Sequence, residues 1–146
     1  MQRDIRRWWN YKDVFDERPS QKEIFFDDTR FKVVIAGRRW GKSVLGAEWL
    51  IKKAINSDEG LCWAMGQTLR EVKKYHLKPI RERLKVLGFN VNQIKGDGYE
   101  FDCEIRGGNN PEIRIKNRFG SWSTIEFMSY NNEAALVGRG LDALLL

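Results

Sequence analysis

Apolar residues recur along the chain with two different periods, and the change of period divides the sequence. Phe31-Lys32-Val33-Val34-Ile35-Ala36 is a short β-branched run ending at Gly37, which predicts a buried strand. From Lys42 to about Asn56, Val44, Leu45, Ala47, Leu50, Ile51 and Ala54 return at turn spacing, which predicts a helix. Asp58-Glu59-Gly60 breaks it, and Leu61-Cys62-Trp63-Ala64-Met65 predicts a second buried strand. A further helix is expected from Thr68, a favourable N-cap, to Leu87, with Gly88 as its stop. Pro79 lies inside that pattern and should kink or split it.

Beyond residue 98 the period shortens to two. Tyr99–Ile105, Glu112–Lys116 and Ser123–Met128 alternate apolar and polar positions, as short antiparallel strands do. Asn131 to Val137 predicts one or two helical turns, and Ala143-Leu144-Leu145-Leu146 begins another buried strand. Upstream, Ser20 and Glu23 form a capping box for a short helix carrying Ile24, Phe25 and Phe26, closed by Asp27-Asp28-Thr29. The order strand, helix, strand, helix over the first ninety residues indicates an α/β fold with a mainly parallel sheet, flanked by helices and extended by short antiparallel strands.

Composition narrows the class. With 146 residues, 42% hydrophobic and 32% charged, the chain suits one folded domain and not a disordered segment. It has no apolar run long enough to span a bilayer, so a membrane role is not expected. The opening MQRDIRRWWNYKD is charged and lacks the apolar stretch of a secretory signal. Cys62 and Cys103 are too few for a disulfide framework or a four-cysteine zinc site, which favours a reducing, cytoplasmic setting. A net charge of +6 favours a polyanionic partner.

The most informative segment is Ala36-Gly37-Arg38-Arg39-Trp40-Gly41-Lys42-Ser43. Its spacing is that of a phosphate-binding loop, set between a predicted strand and a predicted helix. Such a loop turns backbone N–H groups inward, and the helix adds the positive end of its dipole. Lys42 would reach the β and γ phosphates of a nucleotide, and Ser43 would offer its hydroxyl to Mg²⁺. Arg38 and Arg39 are unusual inside such a loop. One of them stabilises transition-state charge, or both hold loop geometry and face solvent.

Four other features each have two readings. On the helix from Thr68, the cations Arg70, Lys74, Lys78, Arg81 and Lys85 share one face, opposite Leu69, Val72, His76, Ile80, Leu84 and Leu87. That face contacts a DNA backbone or is a solvated surface. His76, on the apolar stripe, is expected in the core. Glu100, Asp102 and Glu104 share a strand face but do not converge as metal ligands would; Arg106, Arg114, Lys116 and Arg118 stand near to neutralise them. Trp8-Trp9, flanked by arginines, would stack on bases, dock a partner or pack over the sheet.

Several stretches, in this order, resemble the large subunit of a phage terminase, the ATP-driven DNA-packaging motor. Arg18-Pro19-Ser20-Gln21 resembles that family's adenine-recognising glutamine motif. Val34 to Ser43 resembles its arginine-bearing Walker A loop, and Thr124–Ser129 followed by Leu136–Leu146 resembles the approach to its Walker B strand. The resemblance implies a P-loop NTPase of the additional-strand, catalytic-glutamate type, with residues 1–30 as an adenine-side segment and 31–146 as a partial ATPase core. It implies that Gln21 contacts adenine and that Arg38 is the cis-acting arginine finger. Ala36, Gly37, Arg38, Arg39, Trp40, Gly41, Lys42 and Ser43 would bind the nucleotide, with Ser43 on the metal. Arg139, between two glycines, is expected to shape a turn or sense the nucleotide.

The family pattern places an Asp-Glu pair after the last apolar run, where this sequence ends, so the Walker B and catalytic carboxylates, and a nuclease domain, are expected to lie outside this sequence. On that basis the chain is the amino-terminal piece of an ATPase that binds ATP and Mg²⁺ and is inactive alone. The resemblance implies double-stranded DNA, the procapsid portal and the small terminase subunit as partners, homo-oligomers when intact, and the host cytoplasm as location. A DNA-dependent helicase and a non-hydrolysing nucleotide-binding module are the alternatives.

Overall fold

The computed structural model describes residues 19–87, 89, 91, 103–131 and 140–146. Helix α1, Pro19–Phe26, starts one residue before the expected cap, with proline in its first turn, where a missing N–H costs nothing. It closes as the sequence suggests. Asp27 Oδ1 accepts from the backbone N–H of Thr29 at 3.0 Å and from its hydroxyl at 2.7 Å. Those two bonds hold the Asp27 carboxyl below its usual range.

Residues 31–36 form no strand, and they are neither paired nor buried as the sequence predicts. Phe31, Val33 and Ile35 are 80%, 88% and 94% exposed. The β-branched run is right for a strand. Burial, however, needs a neighbouring strand, and among the described residues none lies beside this segment.

Helix α2, Lys42–Ile55, lays Leu45, Ala47, Leu50, Ile51, Ala54 and Ile55 into the core. Asn56 ends it by donating both its backbone N–H and its side-chain amide to the carbonyl of Lys52. Strand β1, Leu61–Gly66, follows. Helix α3, Leu69–Val72, opens on the expected Thr68 cap. Thr68 Oγ1 accepts from the N–H of Glu71, whose carboxylate accepts from the N–H of Thr68.

Pro79 does not split this helix. A π turn over Lys73–Leu77 carries α3 into α4, Lys78–Val86. The Lys78 N–H reaches back five residues to the Lys73 carbonyl, and the wider turn makes room for the proline ring beside the Tyr75 carbonyl. The turn also sets the helix's faces. At about 100° per residue, each four-residue step overshoots a turn by about 40°, so Leu84 would drift about 120° from Val72 in an uninterrupted α-helix. Taking one extra residue into the turn rotates the second half back by about 100°. Val72, Ile80 and Leu84 are thereby all fully buried.

Strands β2 (Cys103–Arg106), β3 (Glu112–Lys116) and β4 (Trp122–Ser129) form an antiparallel meander. Along β3 and β4 burial alternates as predicted, with Ile113, Ile115, Ser123, Ile125 and Phe127 turned inward. Strand β4 then pairs parallel with β1, and β1 parallel with β5, Ala143–Leu145. The sheet order is β2-β3-β4-β1-β5, so it is mixed and not mainly parallel. The expected last strand forms, but as an edge: Ala143 is buried while Leu144 and Leu146 are exposed. One core joins the inward face of the sheet to α2 and α4. Tyr99–Asp102 and the turns expected at Asn131–Val137 lie outside the described residues, apart from Asn131. No helix among the described residues is long and apolar enough to cross a membrane.

Candidate functional site: the loop before α2

The loop from Ala36 to Ser43 joins the unpaired segment 31–36 to α2. The Trp40 N–H reaches the Gly37 carbonyl to close a turn over Arg38 and Arg39. Arg39 takes a left-handed conformation with φ 65°, and Gly41 another with φ 98°. Gly41 is the N-cap of α2, and no side chain caps that end. A serine, threonine or aspartate there would normally take up one of the free N–H groups. An uncapped helix start is open to an anion, and the macrodipole favours one.

Lys42 and Ser43, the first two helical residues, are exposed at this end, as are Gly37, Arg38 and Arg39. The Lys42 ammonium folds back on its own loop, donating to the carbonyls of Ala36 at 2.6 Å and Gly37 at 3.1 Å. Trp40 packs against the edge of the core. Gln21 is the unexpected part. It is 2% exposed and donates from Nε2 to the Trp40 carbonyl at 2.5 Å. A Cβ on Gly41 would stand 2.7 Å from the same nitrogen, so glycine serves both the backbone angle and the close approach. The structure thus brings Gln21 against Trp40 and Gly41 of the loop, from a helix that starts more than twenty positions upstream of Lys42.

Two further contacts anchor this unit. Gly46 in α2 lets the helix lie against Leu145 of β5, where a Cβ would stand 3.0 Å from Leu145 Cδ1. Glu48, fully buried in α2, forms an ion pair with Arg83 of α4. Neither contact is legible as such in the sequence. The signal for Glu48 was its place among apolar neighbours on the inward stripe of α2.

The remaining candidates separate from the loop. Glu104 pairs with Arg106 at 3.2 Å and Arg114 at 3.8 Å, and Arg106 also meets Glu112 at 3.2 Å, as a neutralised outer face. Asp142 ties β5 to β1, its Oδ2 accepting from the Leu61 N–H at 2.9 Å. Burial, aided by Asp142, pushes the neighbouring Cys62 thiol up to about 12. His76 is half-buried, with Nε2 3.1 Å from the Met65 carbonyl. No group of three or more His, Cys, Asp or Glu among the described residues is placed to hold a metal ion. Trp8, Trp9, Glu100, Asp102 and Arg139 lie outside the described residues.

No protein-family profile and no curated protein sequence matches this chain. Among solved structures, the fold is similar to that of the large terminase from a thermophilic bacteriophage, with a TM-score of 0.53 and 15% identity over 74% of this chain. The chain spans 24% of the length of that terminase, and what the two share is an α/β fold with a mixed sheet and flanking helices.

Proposed function

We propose that this chain is the nucleotide-binding part of a viral DNA-packaging motor, a terminase ATPase in which Mg²⁺-dependent ATP hydrolysis drives duplex DNA. One observation carries the reading: α2 begins without a side-chain cap, directly after a turn with left-handed residues, and presents Lys42 and Ser43 there. The fold likeness to a large terminase supports it.

The residues present fit a nucleotide triphosphate. The uncapped N–H groups of α2 and the loop backbone would hold phosphate oxygens. Lys42 would exchange two loop carbonyls for the β and γ phosphates, and Ser43 would hold Mg²⁺. The Gln21 amide nitrogen is committed to Trp40, which leaves its Oε1 for adenine. Arg38 is the candidate finger. Bound Mg·ATP supplies the γ-phosphoryl group that water attacks. A carboxylate pair for that step is assigned to none of the described residues, since Glu104 and Asp142 are engaged elsewhere. The exposed run Phe31–Ile35 and the outer edge of β5 both suit a further strand between them, as in the additional-strand type of ATPase. The partners that go with this reading are duplex DNA, a portal, a small terminase subunit and further copies of the motor in the host cytoplasm.

The test is Mg·ATP affinity of the chain with Lys42→Ala. Loss of a charged hydrogen-bond donor should weaken binding at least about tenfold with an unchanged circular-dichroism spectrum. Unchanged affinity would sink the reading.

A further inference from the structure

The exposed face of α3–α4 carries five cations, Arg70, Lys74, Lys78, Arg81 and Lys85. They run about 22 Å along the axis, from 15 steps of about 1.5 Å. Among the described residues no ion pair joins any of the five to a carboxylate. Instead they adjoin one another. Arg70–Lys74, Lys74–Lys78 and Arg81–Lys85 are four residues apart, and Lys78–Arg81 three. Like charges at those spacings repel and destabilise a helix, each by a few tenths of a kcal/mol, and the carboxylate of Glu82, between Lys78 and Lys85, offsets part of that. An external polyanion would relieve that repulsion.

Two constraints hold the stripe in place. The π turn brings Val72, Ile80 and Leu84 onto one buried face, and with that face held in the core all five cations stand exposed on the outer side. Arg83 faces the other way, to Glu48 of the helix that follows the phosphate loop, and fixes the rotation of α4.

We propose that this face grips the phosphodiester backbone of duplex DNA. The proposal rests on reading the chain as part of a DNA motor, and it names the surface that reading leaves open. A duplex offers about 13 charges over 22 Å of its axis, a charge density high enough to face all five cations at once. A lipid surface fits poorly, because the apolar face of the helix is spent in the core. Single strands are held by stacked aromatics. The exposed ring on this helix, Tyr75, lies under the Lys74 ammonium, 5.1 Å from its centroid.

The experiment measures binding of the chain to a 30-base-pair duplex across a salt series, beside Mg·ATP binding. One variant changes all five cations to glutamine. A control variant changes Lys22, Arg30, Lys53, Arg106 and Lys116, so both fall from a net charge of +6 to +1. The stripe variant should lose duplex binding at least a hundredfold at low salt. Its slope of log affinity against log salt should flatten by about 4.5, at about 0.9 for each of five lost phosphate contacts. The control should keep most of the slope, and Mg·ATP affinity should hold in both. Equal losses in both variants, tighter binding of single-stranded RNA or anionic vesicles than of duplex, or no duplex binding by the unaltered chain would each overturn the surface. Each of those results, with Mg·ATP binding retained, leaves the nucleotide-site reading standing. Loss of Mg·ATP binding by the unaltered chain would overturn that reading instead.

Discussion

Gln21 supports Trp40 from below: a side-chain amide buried in α1 donates to the backbone of a loop nineteen residues away. The family resemblance assigns Gln21 to the adenine, whereas its bond to the Trp40 carbonyl ties it to the loop before α2. The two roles separate by nucleotide. Gln21→Ala should weaken Mg·ATP and Mg·GTP alike through loop positioning, with a further loss of a few-fold for ATP alone. Isothermal titration with both nucleotides reads the split. Unchanged GTP affinity would dismiss the loop role, and equal losses would dismiss base recognition.

Gly41 gives a linked test. Gly41→Ala forces a Cβ against Gln21 Nε2 and imposes a left-handed angle on alanine. The angle alone costs about 1–2 kcal/mol. Adding Gln21→Ala should remove the clash but not the angular strain. The double variant should therefore be less destabilised than the sum of the two singles, as read from urea unfolding midpoints.

How far the sequence foretells this site differs from part to part. Strands β3 and β4 are legible because alternation carries the fact that one face is wet. Helix α2 and the Thr68 cap are legible because their signals are local. The inward turn of Gln21 is not legible, since it depends on where α1 docks. The bareness of Phe31, Val33 and Ile35 is not legible either, because an apolar run states a need for neighbours and not their presence. The π turn is written only faintly, in a buried spacing of four where an α-helix needs 3.6.

Glu48 and Arg83 form the pair that joins the loop's helix to α4, with the Glu48 side chain 1% and the Arg83 side chain 18% exposed. Removing one partner takes the opposite charge away from the other. Arg83→Met alone should lower unfolding stability by about 3 kcal/mol. Glu48→Leu with Arg83→Met should recover most of that loss, because two apolar groups pack without a desolvation cost. A double-mutant cycle in urea checks this. No recovery in the double variant would show that the pair holds its helices by more than charge.

The two loop arginines differ in backbone as well as in place. Arg39 is left-handed, so Arg39→Gly removes its side chain and relaxes the backbone at once. It should raise the unfolding midpoint slightly and, in the proposed ATPase, leave turnover nearly intact. Arg38→Ala should cut that turnover about a thousandfold, with ATP affinity little changed. The reverse ranking would move the finger to Arg39. Small effects from both would place it on a neighbouring subunit.

The chain has one histidine, which makes a narrow pH window informative. Burial holds the His76 imidazole below its ordinary value of 6.5, and the Met65 carbonyl opposes that shift without cancelling it. In the folded protein His76 is therefore neutral over a range where the unfolded chain has begun to take up a proton. The unfolded state binds more protons there, so stability rises with pH across that range. It is fully present above about 6.5 and falls away as pH drops through the lower folded value. Carboxylates add little above about pH 5, since their ordinary values lie near 4. Urea midpoints measured between about pH 5 and 7.5 should decline on the acid side, and His76→Gln, which removes the titrating group, should flatten that decline. An equally steep decline in the variant would mean that another group drives it and that His76 charges freely in the folded state.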